Sequence, residues 1–264
     1  MRRRAGFTLI ELLIVIGCIS TLSMMLLPIM SHARGIARGV HCGNNLRQLG
    51  HASLLYAECN DDYCVPQVMG VSPKVYWWGL DGDPPDHTGG LLYPYLTVDT
   101  GRDSVFDCPD QPWGSYPYVQ GASHKHPTTT YGYNGLYLAA PASNWVFGAA
   151  RERVRWLTVD QIASPSLVFA FADTLIDHKT TYGNTCLLDG PMVPLVRPDG
   201  TVTWNPNGFP TLCFRHRGST SVCFADGHVE SIHMSKATIT SARRLTGSIG
   251  STPAPHYVPD YESW

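Results

Sequence analysis

Nine residues separate His216 from the pair Asp226-Gly227, and His228 follows that pair directly. Imidazole and carboxylate are ordinary ligands for divalent metals. His216, Asp226, His228 and Asp173, which ends a neighbouring apolar run, are therefore the candidates for a metal site. A plainer use of the same residues competes with it. Asp-Gly is a preferred pair for a two-residue type I′ turn, which sets Asp226 well along a ladder from His216. A hydrogen bond to a backbone or carboxylate partner such as Asp173 then accounts for His216. The architectural reading is preferred: no cofactor is expected, and a divalent metal is the one candidate.

Other chemistries lack their spacing. The chain has no G-x-S-x-G elbow, no H-E-x-x-H and no phosphate loop. Cysteine and histidine both occur, but no local sequence marks a nucleophile, so no enzyme is expected. Eight cysteines show no C-x2-C zinc pattern. Cys18 falls in an apolar run. The other seven predict disulfides with one thiol left over if the domain is exported, and plain buried thiols if it is cytosolic. Asp81, Gly82, Asp83 and Asp86 are a candidate calcium cluster without EF-hand spacing, better read as turn carboxylates. Trp77, Trp78, Tyr93 and Tyr95 suit either a sugar-stacking platform or a β core, and the core is favoured.

The elements that must position these residues start with an unusual helix. From Phe7 to Met30 the only formal charge is Glu11. Such a run makes a helix of about 36 Å, enough to cross a bilayer. A carboxylate inside it costs roughly 2.5–3.5 kcal/mol on insertion scales, so something must compensate Glu11. Arg2, Arg3 and Arg4 would keep the N-terminus in the cytoplasm and send the remainder outward. The run is too long for a cleaved secretory signal, and no A-x-A site follows. Ile36, Val40, Leu46, Leu49 and Tyr56 predict an apolar face on a continuing helix that ends between Tyr56 and Asn60. Gly35, Gly39 and Gly43 fall four apart and are read as softening that helix rather than as a packing face. A formal charge of −2 leaves no nucleic-acid footprint, while 25 Gly, 20 Pro and 15% charged residues favour a loop-rich β domain.

The stretch RRRAGFTLIELLIVIG resembles the N-terminus of the type IV pilin and type II secretion pseudopilin superfamily. That resemblance implies cleavage between Gly6 and Phe7 by a prepilin peptidase, followed by methylation of the Phe7 amine. It also implies that Glu11 pairs with the Phe7 ammonium of a neighbouring subunit, and Pro28 sits where the family often carries a kinking proline. The alternative for Glu11 is the positive end of its own helix. Five further blocks resemble a bacterial prepilin-like group known by its H-X9-DG element: HCGNNLRQLGHASLLYAECNDDYCVP (41–66), FDCPD (106–110), TTYGYNG (129–135), IASPSLVFAFADT (162–174) and RHRGSTSVCFADGHVES (215–231). In that element His216, Asp226 and Gly227 are the defining residues. No clear activity attaches to that group.

The expectation is an α+β, pilin-like chain with a long N-terminal helix, half transmembrane, packed on an antiparallel β-sheet with loop-rich insertions. Residues 1–6 form a leader, 7–30 the membrane half of the helix, 31–58 its exposed amphipathic half, and 59–246 an exported β-rich domain. A three-stranded H-X9-DG meander is expected at 211–232, with strands at 211–217, 221–225 and 228–232. Residues 247–264 read as an irregular surface tail. Implied partners are prepilin peptidase, other pilin or pseudopilin subunits and the lipid bilayer, with no nucleic acid. The implied place is the inner membrane, single-pass, with the domain exported, either as a filament subunit or as an anchored glycan- or metal-binding module that does not polymerise.

Overall fold

One helix dominates the chain because its sequence suits two surroundings in succession. In the computed structural model, which describes residues 8–70, 73–80, 86–96, 104–110, 129–139, 156–178, 182–196 and 201–263, helix α1 runs Leu9–Glu58. Gly6, Phe7, Asp81, Gly82 and Asp83 lie outside the described residues. Thr8 caps the helix in a reciprocal box with Glu11: the Thr8 N–H and hydroxyl both donate to Glu11 Oε2, at 2.8 and 2.7 Å. Such a box satisfies helix-start donors that nothing else would reach. The apolar stretch beyond it is long enough to cross a membrane and is not buried against the rest of the described residues.

The outer part of α1 meets the domain through Cys42, Asn45, Leu46, Leu49, Gly50 and Tyr56, spaced three and four apart and buried. Leu46, Leu49 and Tyr56 face inward as the sequence predicts, but Ile36 and Val40 are 52% and 60% exposed. The reason is local. The turns at 35–43 present their glycines to the domain: a Cβ on Gly35 would lie 3.9 Å from Arg217 Cδ, and one on Gly39 3.8 Å from the His216 ring. Ile36 and Val40 are thereby rotated off the contact. These glycines line a cleft of about 410 Å³ rather than a tight seam.

The helix lies on a four-stranded antiparallel sheet. With β1 Tyr131–Tyr133, β2 Phe169–Asp173, β3 Ser219–Phe224 and β4 Val229–His233, the order is β4-β3-β2-β1. Every residue of β2 is buried, as the apolar run ending at Asp173 predicts, because α1 covers one face and the loop-rich layer the other. Trp77 and Trp78 belong to that core: Trp77 stands edge-on to Phe171 at 5.3 Å and neither tryptophan is more than 1% exposed.

Three expectations about the C-terminal third are corrected. The 211–217 segment does not start a meander, since Leu212–Cys213 pairs with Thr246–Ile249 in a separate sheet and β3 takes β2 as its second neighbour. The type I′ turn is not at Asp226-Gly227 either. Arg217 (φ 57°) and Gly218 (φ 83°) both occupy the left-handed region, with His216 and Ser219 exchanging backbone hydrogen bonds of 3.0 Å across them. That is the two-residue turn in which both central residues take positive φ. At the other end Phe224 N–H donates to His228 O, so Ala225, Asp226 and Gly227 form a three-residue loop in which only Gly227 is left-handed, at φ 89°. The expected surface tail is also partly interior: Thr246–Ile249 is a buried strand, and Tyr257 and Val258 are at most 2% exposed.

Gly50 is where helix and sheet come closest. A Cβ there would lie 2.5 Å from Cys223 Sγ, whereas at Gly43 the nearest atom, Val229 Cγ1, is 3.9 Å away. Gly50→Ala should therefore destabilise the domain by roughly 1–3 kcal/mol through overpacking. Gly43→Ala should be neutral or gain up to about 1 kcal/mol of helix propensity. Thermal unfolding of the two variants beside the parent checks this, and equal melting temperatures would contradict the close-approach account.

Candidate functional site

Four buried side chains from four elements converge beneath α1. Cys42 comes from the buried face of the helix, and Cys108 from the 104–110 loop. Asp173 is the last residue of β2, and His216 precedes the Arg217-Gly218 turn. Their ligating atoms all lie within 4.8 Å of one another. Local structure explains each placement. The 104–110 loop is tied to the start of β1, because Thr130 N–H and the Thr129 hydroxyl donate to Phe106 O while Cys108 N–H donates to Thr130 Oγ1 at 2.6 Å. The β2–β3 register ends at Ala172–Val222, and the next β3 amide, Ser221 N–H, donates instead to Asp173 Oδ2 at 3.1 Å. The type I′ turn then fixes His216 opposite Ser219.

Asp173 Oδ2 is the hub. It accepts from the Cys42 thiol at 3.2 Å and from Ser221, and His216 Nε2 lies 3.1 Å from it. Asp173 Oδ1 is buried without a hydrogen bond, with the Arg215 Nε 3.8 Å away. The Arg215 side chain is itself buried and donates to Thr174 O at 2.5 Å. His216 Nδ1 meets Asp110 Oδ2 at 2.7 Å, and Arg38 of α1 reaches the same Asp110. Asn45 Nδ2 donates to Asp107 O at 3.1 Å and to the Tyr131 hydroxyl at 3.3 Å.

These contacts set the charges. Burial works against ionising Asp173, but the Arg215 guanidinium and His216 outweigh it and hold the carboxyl below its ordinary range. Burial likewise opposes a charged His216, yet Asp173 and Cys108 lift it to about 11. Of the two thiols, Cys42 is pushed up, chiefly by burial. Cys108 is opposed by burial too, but its hydrogen bonds with Cys42 and His216 bring it down to about 6. The protein alone thus holds an imidazolium between Asp110 and Asp173, with Cys108 the first thiol to ionise.

Cys108, His216 and Asp110 follow the order of a nucleophile, base and orienting acid. Cys108 is 0% exposed, however, and His216 Nε2 is nearer to Asp173 than to the thiol at 3.4 Å. Among the described residues that sulfur is not presented to solvent. Binding a metal is the chemistry this donor set suits better.

Of the sequence-derived candidates, His216 and Asp173 are brought together, and Asp173 is the partner expected for His216. Asp226 and His228 are not. They sit at the far end of the β3–β4 hairpin, partly exposed and paired with each other at 2.5 Å. Cys42 and Cys108 were missed. The disulfides expected of an exported domain are not formed among the described residues. Asp86 caps a short helical turn through Thr88 N–H at 2.9 Å.

Residues 1–27 match a family model described as the prokaryotic N-terminal methylation motif. No curated protein and no solved structure matches the chain.

The two carboxylates differ sharply in environment, and so should their substitutions. Asp173→Asn takes the buried carboxylate from Arg215 and leaves His216 with Asp110 alone, and it should cost about 3–5 kcal/mol. Asp226→Asn should cost less than about 1 kcal/mol, because its partner is a partly solvated histidine. Chemical unfolding at neutral pH measures both, and a similar cost at the two positions would contradict the burial argument.

Proposed function

We propose that this chain, which begins with a prepilin-type methylation motif, is a membrane-anchored subunit that joins other pilin-like chains in a filament or pseudopilus. Prepilin peptidase cuts it between Gly6 and Phe7 and the new amine is methylated. Residues 7–30 then hold it in the inner membrane, N-terminus inward, with the β-rich domain outside. Its role is assembly rather than catalysis. The five blocks resembling the H-X9-DG group belong to the same reading.

The observation that carries it is Glu11. It is the sole acid of an apolar helix half that is unburied among the described residues, and it stands three residues from the Thr8 cap. Among the described residues its carboxylate is engaged by Thr8. Cleavage would create an ammonium at Phe7, and a neighbouring subunit's ammonium is a stronger partner than a hydroxyl in a low-dielectric bundle. A glycan-binding alternative built on Trp77, Trp78, Tyr93 and Tyr95 is weakened, because both tryptophan rings are buried and only the two tyrosines stay partly exposed.

Glutamine separates the two roles of Glu11. Glu11→Gln keeps an acceptor for the capping box but cannot neutralise an ammonium. It should be inserted and processed like the parent and yet be lost from sheared filaments or cross-linked assemblies by about tenfold or more, as one buried charged hydrogen bond implies. Glu11→Val should behave alike, and replacing Gly6 with a bulky residue should leave the leader attached. Intact mass reads processing, and a mature chain starting at Phe7 with one methyl is the expected product. Normal assembly of Glu11→Gln would reduce Glu11 to a helix cap.

A further inference from the structure

We propose that Cys42, Cys108, Asp173 and His216 form a closed structural zinc site that fastens α1 to the sheet. Two thiolates, an imidazole and a carboxylate suit zinc, which takes sulfur, nitrogen and oxygen ligands together, whereas calcium and magnesium prefer oxygen alone.

Geometry carries the inference. Tetrahedral coordination with bonds of about 2.0–2.3 Å sets neighbouring ligand atoms roughly 3.3–3.8 Å apart. Here Cys42 Sγ to Asp173 Oδ2 is 3.2 Å, Cys108 Sγ to His216 Nε2 is 3.4 Å, and His216 Nε2 to Asp173 Oδ2 is 3.1 Å. These edges are already close to those of a coordination tetrahedron, and the four residues are buried. Small outward movements would admit the ion.

The surroundings fit as well. A metal-bound histidine usually gives its other ring N–H to a carboxylate, which fixes the tautomer. His216 Nδ1 does so to Asp110 at 2.7 Å, and Arg38 holds Asp110 in turn. Ser221 N–H holds Asp173 Oδ2 and Arg215 stands beside Oδ1. Asp173 Oδ1, buried with no hydrogen bond, offers spare ligating capacity. The cleft beside Gly35, Gly39 and Gly43 is lined by His216 and gives an entry route from solvent.

Charge balances too. Zinc with two thiolates, Asp173 and the neighbouring Arg215 sums to zero, with Asp110 offset by Arg38. The protons held by Cys42 and His216 Nε2 in the metal-free chain, and by any Cys108 still in the thiol form, leave to solvent as the ion takes their lone pairs.

The test uses the full chain extracted in detergent. Elemental analysis should find about one zinc per chain, falling below about a tenth in Cys42→Ser/Cys108→Ser, while Cys213→Ser keeps it. Should the double variant fail to fold, the parent decides alone. Exchange of zinc for cobalt should give tetrahedral d–d bands with a thiolate-to-cobalt charge-transfer band. Alkylation of Cys42 and Cys108 in the native protein should begin only after chelation. No bound metal in zinc-supplemented protein, zinc retained in the folded double variant, a cobalt spectrum without thiolate bands, or a Cys42–Cys108 disulfide under non-reducing conditions would each overturn the proposal.

Discussion

The structure is organised around a carboxylate with no access to water. Asp173 ends a strand buried on both faces. An ionised carboxyl there is tolerable only if neighbours replace the solvent it has lost. They come from every direction: a thiol from α1, an amide from β3, an imidazole from the turn before β3, and a guanidinium beside it. Each donor must be in place at once, so one charge fixes the relation of helix, sheet edge and turn. Apolar packing alone would specify that relation less sharply, since Leu46 and Leu49 could slide along the sheet at small cost.

The same position governs how the domain sits on its helix. α1 is continuous from Leu9 to Glu58, so the domain's orientation is set wherever it first grips the rod. That grip begins at His32, whose Nδ1 meets Arg217 at 2.7 Å, and strengthens at Arg38 and Cys42. Near Gly50 it becomes close packing against Cys223. Polar and charged contacts therefore cluster where the helix leaves its apolar half, and apolar contacts follow farther along. Glycines at 35, 39 and 43 let the turn bearing His216 stand beside the helix while leaving an open cleft between them.

Much of this was legible in the sequence where the signal is local. The apolar period gave the helix and its end near Tyr56, and the apolar run ending at Asp173 gave a buried strand. Local statistics then misled at the hairpin. Asp226-Gly227 is the commoner type I′ pair, yet the backbone bond between Phe224 and His228 sets a three-residue loop there, and Arg217-Gly218 takes the tighter turn. Ile36 and Val40 were assigned inward because their spacing suits a helical face, but tertiary contact chose the glycine face instead. The cysteines were harder. Cys42 and Asp173 are 131 positions apart and Cys108 and His216 are 108 apart, so no spacing rule of the C-x2-C kind can register them. A clue was nonetheless present. Each of the five blocks that carry the H-X9-DG resemblance contributes one member of the cluster or its rim: Cys42, Cys108, Tyr131, Asp173 and His216. Blocks scattered along a chain that meet in one place mark a site better than any one of them does.

The defining histidine and the defining Asp-Gly pair of that element consequently have separate work. His216 belongs to the buried cluster at the near end of the β3–β4 hairpin, and Asp226-Gly227 closes its far end, where Asp226 accepts from His228 N–H at 3.1 Å. Strand β3 connects the two and lies beneath α1 along its length. The nine intervening residues are then a ruler: they are the type I′ turn, the six residues of β3 and the first residue of the far loop. A histidine held at one end and a left-handed glycine at the other fix both the length and the register of the strand on which the helix rests. On this argument the spacing between His216 and Asp226 measures a strand and its turns.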